Sequence, residues 1–425
     1  MPASSRSLRR VILASFIGTT IEWYDFFLYG TAAALVFNRL FFPNQDPLAG
    51  TLSAYATFAV GFLARPLGGA VFGHYGDRVG RKAMLVYSLV LMGVATALIG
   101  LIPTYDRVGV WAPILLVVVR FVQGIGIGGE WAGAVLMAVE HSGGQRRGFH
   151  GSWPQMGVPA GLLLSTGVFA LFSTALDERA FLAWGWRIPF LLSVVLIGVG
   201  LFVRLRIPET PSFERLKETR QETRAPLLAV LRDHPRELLV GMGMRFGQNV
   251  LFYIYTVFVL SYGEKALGFT KNTLLAGVAI AATVGFASIP LWAHLSDRYG
   301  RRPLYLLGAA FSLLFAFPFF WLLGQGSPAL AWLAIVLGLN VGHDLMYGPQ
   351  AAYFSELFGT RVRYSGASLV YQLTSVVSGG LAPFIATLLL ARYGAGAVAG
   401  YLIASCVVTL LATWLAPETH RRDLG

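Results

Sequence analysis

Seven ionisable side chains interrupt stretches that are otherwise apolar: Glu22, Asp25, Glu130 and Asp344 against Arg65, Arg120 and Arg245. In hydrocarbon surroundings each would cost about 2.5–3.5 kcal/mol on insertion scales, so each is by default a functional group. Four acids and three bases cannot all pair, and a buried carboxylate left over escapes its desolvation cost by taking up a proton. The expected chemistry is reversible protonation beside guanidinium groups, whose planar fork matches a carboxylate. Asp25 is the first expectation for the proton site and Glu130 the second. Arg120 is the neighbouring cation whose pairing depends on whether an anion is present. The alternative is that Asp25 makes only a structural ion pair with an arginine of the fourth helix.

Spacing gathers further polar residues around these charges. Glu22 precedes Asp25 by three and shares its helix face. Arg120, Gln123, Ile127 and Glu130 form one stripe, and so do Arg245, Gln248, Asn249 and Phe252. Asn340, His343, Asp344 and Tyr347 form another. Such stripes cannot face lipid. Gln123, Gln248, Asn249, His343, Tyr253 and Gln372 offer donors and acceptors for hydroxyl groups, and Tyr29 and Glu22 join them from the first helix. Arg65, beside Pro66, either touches a ligand or satisfies backbone. His343, beside Asp344, either handles a proton or ligand or is satisfied structure.

The elements that must position these groups follow from composition. The chain has 425 residues, 56% hydrophobic and 13% charged, with a net charge of +12; soluble domains carry about 25% charged residues. Mean hydropathy is +0.63. An all-α membrane protein is expected. A spanning helix needs about 20 apolar residues, and twelve such segments lie near 12–38, 52–75, 83–103, 110–138, 149–175, 186–207, 237–262, 272–294, 303–323, 329–355, 365–391 and 396–416. The first is too long for the core of a cleaved leader, about 7–15 residues, so no cleavage is expected. A charged linker, 209–236, separates an N-terminal half, 1–208, from a C-terminal half, 237–425.

Lys and Arg fall 23 to 7 in favour of the loops on the N-terminal side of the membrane, with three inside spans. The bias places both termini in the cytoplasm. Charges scattered among apolar spans form no continuous face for nucleic acid. No nucleophile elbow, zinc-protease or phosphate-loop motif occurs, which argues against an enzyme. One Cys, Cys406, leaves no disulfide framework or multi-Cys metal cluster.

An internal duplication comes next. Gly73-His-Tyr-Gly-Asp77-Arg78-Val-Gly80-Arg81-Lys82 recurs as Ala293-His-Leu-Ser-Asp297-Arg298-Tyr-Gly300-Arg301-Arg302. Glu140 precedes Arg147 as Glu356 precedes Arg363, and Pro208-Glu209-Thr210 recurs as Pro417-Glu418-Thr419. Two like-oriented six-helix halves are expected. Asp77 is expected to pair with Glu140 and Arg363, and Asp297 with Glu356 and Arg147. These inner-face contacts, flanked by Arg78, Arg81, Arg298 and Arg301, would hold the halves together when the molecule opens outward and break when it opens inward. Gly61, Gly69 and Gly73 on the second helix and Gly124, Gly128, Gly129 and Gly133 on the fourth read as close-packing faces.

The paired loops resemble the major facilitator superfamily over nearly the whole chain. Glu22-Trp-Tyr-Asp25-Phe-Phe-Leu-Tyr-Gly30, Ala64-Arg65-Pro66-Leu-Gly68, Arg120-Phe-Val-Gln123-Gly124, Gly128-Gly129-Glu130-Trp131, Trp184-Gly-Trp186-Arg187-Ile-Pro189-Phe and Pro208-Glu209-Thr210-Pro211 resemble its metabolite:proton symporter family, whose members carry shikimate, α-ketoglutarate, citrate and proline/betaine. Leu35 to Pro43, His343-Asp344, Arg363-Tyr-Ser-Gly366-Ala and Tyr371-Gln372 look most like its shikimate carriers. Glu22 and Gln248 depart from that branch, where Asp and Glu are expected. The resemblance implies twelve helices in two pseudo-symmetric halves, with the first, fourth, seventh and tenth lining a central path. It also implies a monomer in a bacterial inner membrane that takes up a small organic anion with protons, by alternating access and without a cofactor. A proton-coupled osmolyte carrier of the proline/betaine type is the alternative. Those carriers commonly end in a long coiled coil, and this chain ends eight residues after Pro417.

Overall fold

The computed structural model describes residues 5–79, 81–128, 131–140, 146–205, 226–358 and 363–422. Glu130 and the side chains of Asp77, Arg78, Arg81, Glu140 and Arg363 lie outside the described residues, as does most of the expected linker. The described part is helical throughout, with no β-strand. Twelve rods follow one another: α1 (5–40), α2 (Pro47–Val79), α3 (Arg81–Leu101), α4 (111–140), α5 (Arg147–Ala175), α6 (Glu178–Leu205), α7 (235–265), α8 (Lys271–Tyr299), α9 (Arg301–Leu323), α10 (Pro328–Leu357), α11 (363–393) and α12 (Ala395–Leu415). Eight are long and apolar enough to cross a membrane on composition alone.

Local chemistry explains where the rods differ from expectation. α6 starts at Glu178 because the Asp177 carboxylate caps it, accepting the Ala180 N–H at 2.7 Å. Gly185 ends a wider i→i+5 turn, Phe181–Gly185, within α6. α4 is described in two segments, Trp111–Ile127 and Trp131–Glu140. α5 turns at Met156, between Arg147–Gln155, which contains Pro154, and Gly157–Ala175. The end of the expected linker is a short helix, Pro226–Asp233. Gly300, at φ +107°, closes α8 in a conformation other residues rarely adopt.

Wide i→i+5 turns also occur at Ala33–Phe37 in α1, Ile254–Phe258 in α7, Leu337–His343 in α10 and Val376–Gly380 in α11. Turns of this kind concentrate at functional sites. Here they fall on three of the four helices expected to line the path.

Within the first six rods α1 packs along α5 and α2 along α4; within the last six α7 and α9 pack on α12. The two groups meet through α5 against α8 and α10, and α2 and α4 against α11. The α2–α4 contact is backbone to backbone. A Cβ on Gly128 would lie 2.1 Å from the Arg65 carbonyl oxygen and 2.6 Å from the Gly69 nitrogen. Gly128→Ala should therefore lower thermal stability in detergent by roughly 1–3 kcal/mol, as overpacking does. Gly167→Ala is the reference, since nothing lies within 4 Å of its added Cβ. Equal melting of the two variants would refute the packing role.

Candidate functional site

Two guanidinium groups face each other across Phe26. Arg65 of α2 stands 4.3 Å from the Phe26 ring and 4.4 Å from Phe62, and Arg120 of α4 stands 4.1 Å from Tyr29 and 4.8 Å from Phe26. Both are buried, and neither forms an ion pair with an acid among the described residues. Nε and Nη2 of each find no hydrogen-bond partner. Arg120 donates Nη1 to Gln123 Oε1, and Gln123 donates to Thr96 at 2.7 Å. Aromatic faces stabilise a desolvated cation without neutralising it, so the unpaired N–H groups stay available to an anion.

The acids of α1 lie differently from expectation. Asp25 is fully buried and turns toward α3 and α6, where Ser193 Oγ donates to its Oδ1 at 2.5 Å. Oδ2 is near the Gly93 position and has no partner. The ion pair with an α4 arginine that is the alternative for Asp25 does not form among the described residues: Gln123 lies between them, its amide nitrogen 3.5 Å from the Asp25 backbone carbonyl. Glu22 interacts electrostatically with Arg65 and with Arg204 of α6. Tyr29 spends its hydroxyl on Thr57 at 2.7 Å and contributes its ring face to Arg120.

In the last six rods the polar stripes join into one chain of hydrogen bonds. Arg245 Nη1 donates to Gln350 Oε1 at 2.9 Å, and Gln350 Nε2 donates to Gln248 Oε1 at 3.0 Å. Gln248 Nε2 lies 2.5 Å from His343 Nε2, and His343 Nδ1 lies 2.8 Å from Asp344 Oδ1. Asp344 Oδ2 also accepts from Ser288 and, at 3.0 Å, from Asn340. Asn249 donates to Ser378 at 2.9 Å and accepts weakly from Arg245 at 3.4 Å. His343 stacks on Tyr347, whose hydroxyl is buried without a partner. A pocket between α5, α7, α8 and α10 opens onto Asn340, His343, Asp344 and Tyr347, with Val158, Pro159 and Leu162 as its apolar wall.

The path is closed on both sides. At the basic end Trp131 of α4 stacks on Tyr371 of α11 at 4.0 Å, Arg245 covers the other side of Tyr371 at 3.3 Å, and Gln372 donates to the Gly128 carbonyl at 3.0 Å. Below, Asp297 accepts the Gly148 and Phe149 N–H groups at 2.8 and 2.9 Å, capping α5 from the other half. Gln155 of α5 donates to the Tyr347 carbonyl at 2.7 Å. At the opposite end Lys265 donates to Thr51 at 2.6 Å and Tyr55 lies 2.8 Å from Ser261.

The ion pairs at the basic end correct the expected partners. Arg301, not Arg147, pairs with Asp297 at 2.7 Å, and Arg301 also reaches Glu356 at 3.3 Å. Arg147 stands 3.9 Å from Glu356 but donates at 2.8 Å to the Arg422 carbonyl. Arg298 is exposed and lies over Tyr299 instead of joining the network. Glu418 accepts the Arg301 and Arg302 N–H groups at 3.0 and 2.9 Å. Burial opposes its charge, yet backbone donors from Arg301, His420, Arg302 and Thr419 hold its carboxyl below the usual range.

Comparison with known proteins places this geometry. Residues 15–383 match the family model described as Major Facilitator Superfamily. The chain is 44% identical to the inner membrane metabolite transport protein YhjE of Escherichia coli K12, over 100% of this chain and 97% of that protein. It is 43% identical to the shikimate transporter of the same organism, over 97% and 95%. The E. coli K12 proline/betaine transporter is 36% identical, over 98% of this chain and 85% of its own length. Among solved structures, the proton:xylose symporter XylE bound to 6-bromo-6-deoxy-D-glucose superposes with a TM-score of 0.78 at 19% identity, over 99% of this chain and 98% of that one, a likeness of fold.

Proposed function

The chain belongs to the major facilitator superfamily, and from that premise we propose that it is a proton-coupled symporter for a small organic acid, shikimate-like or another mono- or dicarboxylate. The chain is a multi-pass membrane transporter and not an enzyme. In this reading it works by alternating access in the bacterial inner membrane, as a monomer with both termini and the basic end cytoplasmic, and the halves meet at the linker 209–236.

The observation that carries the anion reading is the pair of buried, aromatic-faced guanidinium groups, Arg65 and Arg120, with unpaired N–H donors and no acid in ion-pair contact among the described residues. A carboxylate there satisfies donors that burial otherwise leaves costly. The osmolyte alternative would place an ammonium group beside two cations. Asp25 is the proposed proton carrier, with Glu130 second and Arg120 sensing the substrate through Gln123. Gln248, Asn249, Asp344, Tyr347 and Gln372 would meet the hydroxyl groups. The Asp297 cap on α5 opens for release into the cytoplasm; the Thr51–Lys265 and Tyr55–Ser261 contacts open for entry.

Proteoliposomes with an inward proton gradient test this, with shikimate, quinate, protocatechuate, α-ketoglutarate, citrate and proline betaine in competition. The expected result is accumulation of a carboxylate that stops when a protonophore collapses the gradient. Inhibition by zwitterions alone, with no carboxylate effective, would overturn it.

A further inference from the structure

The hydrogen bonds from Arg245 to Asp344 all run in one direction. Arg245 can only donate, so Gln350 receives it through Oε1 and presents its amide nitrogen to Gln248 Oε1. Gln248 in turn presents its amide nitrogen to His343 Nε2. An amide nitrogen only donates, so His343 Nε2 must accept, and its one proton must sit on Nδ1, donated to Asp344 at 2.8 Å. The far side of Asp344 takes Ser288 and Asn340. A buried cation on α7 and a buried anion on α10 are thus joined by three side chains with a single polarity.

We propose that His343 is a second proton-binding site, in the C-terminal six helices, and that its protonation frees Arg245 to join Arg65 at the substrate's carboxylate. The proposal rests on the anion-symport reading above and goes beyond it in naming a further proton site and what that site controls. A proton arriving from the α5–α8 pocket binds Nε2, and no covalent bond breaks. The new N–H then confronts the Gln248 amide N–H, donor against donor. Gln248 must turn its amide over, presenting oxygen to His343 and nitrogen to Gln350. Gln350 must then turn as well, accepting from Gln248 and, once Tyr305 gives up its 3.2 Å bond to the Met244 carbonyl, from the Tyr305 hydroxyl 3.0 Å away. That turn removes the acceptor 2.9 Å from Arg245 Nη1. The remaining Arg245 contacts, to Ser375 at 3.3 Å, Asn249 at 3.4 Å and Gln248 at 3.5 Å, are long, and Nε has no partner.

Little else near His343 can answer the proton. α10 contributes Asp344 and Tyr347; α7 contributes Phe252 at 4.9 Å between ring centroids, Tyr253, and Arg245 two amides away. α8 contributes Ser288 through Asp344, α11 contributes Tyr371 beneath Arg245, and α5 only the apolar wall. Asp344 and Arg245 are the two charges among the described residues here, and they are the two ends of the chain. Because coupling is reciprocal, a proton that releases Arg245 for an anion is itself held more tightly once the anion is bound.

Full-length protein in nanodiscs, labelled with 15N-histidine, tests this by NMR. The signal lost in His343→Gln identifies the residue. The expected result is a proton on Nδ1 alone in alkaline buffer and a proton on both nitrogens after acidification. Addition of shikimate is expected to favour the doubly protonated ring by roughly tenfold at a fixed pH. Nε2 protonated in place of Nδ1 at high pH, or a ring that never titrates, would overturn the proposal. Gln248→Leu gives a second reading: His343 still titrates, but the roughly tenfold tightening of shikimate binding on acidification falls to about twofold or less. Full pH dependence retained in both Gln248→Leu and His343→Gln also overturns it. If no carboxylate binds at any pH, the symport reading fails, and the His343 tautomer and titration decide this proposal on their own.

Discussion

Asp25→Asn is expected to abolish uphill uptake driven by an imposed pH gradient while leaving exchange of substrate across the membrane intact. Asparagine keeps an acceptor where Ser193 donates to Asp25 Oδ1 at 2.5 Å and fills the same space in a fully buried site. What it removes is the capacity to gain and lose a proton. One unit of pH gradient supplies about 1.4 kcal/mol per proton, or roughly a tenfold accumulation at one proton per substrate, and the variant should settle near equal concentrations inside and out. Radiolabelled uptake into proteoliposomes under a one-unit gradient, compared with counterflow in its absence, separates the two activities. Normal accumulation in Asp25→Asn would move the proton site elsewhere.

Arg65→Gln is expected to raise the substrate dissociation constant by about a hundredfold or more, since truncating one member of a buried charge pair costs roughly 2–5 kcal/mol. The alternative role, satisfying backbone beside Pro66, would leave Nε and Nη2 unused, since they reach no partner and the group rests on the faces of Phe26 and Phe62. Lysine should recover only part of the affinity, because it cannot offer a planar fork or stack on the rings as well. Equilibrium binding in nanodiscs, with thermal unfolding as a check on folding, reads this directly. Affinity within about twofold of the unchanged protein would sink the assignment, given how large the lost interaction should be.

The helical spans, their order and the polar stripes were legible because hydrocarbon imposes length and apolarity on a span and exposes every exception. Arg65, Arg120, Arg245, His343 and Asp344 stood out for that reason. Ser193, Thr96, Ser288 and Gln350 did not, although they hold Asp25, Gln123, Asp344 and Arg245; a lone hydroxyl or amide in an apolar helix costs too little to announce itself. Periodicity put Glu22 and Asp25 on one face but could not say that Asp25 would meet α6, because that depends on how far α1 is rotated against its neighbours. The duplicated loop pointed to Asp297, yet its cross-half partner proved to be the backbone N–H groups at the start of α5. A backbone donor carries no side-chain signature. Arg301 takes the place expected of Arg147 because it lies four residues after Asp297 and reaches that carboxylate from within its own half.

The wide turns at Ile254–Phe258, Leu337–His343 and Val376–Gly380 give α7, α10 and α11 a swivel within their length, whereas the turn at Ala33–Phe37 lies at the end of α1. In hydrocarbon a helix cannot hinge by leaving carbonyl and amide groups bare. A turn that already bonds to the fifth residue can hand its hydrogen bonds back to the fourth, one at a time, with every group kept satisfied. The segment on one side can then rotate about its own axis while the segment on the other stays packed. One part of α7, α10 or α11 can therefore turn a side chain toward or away from the path without the whole rod tilting.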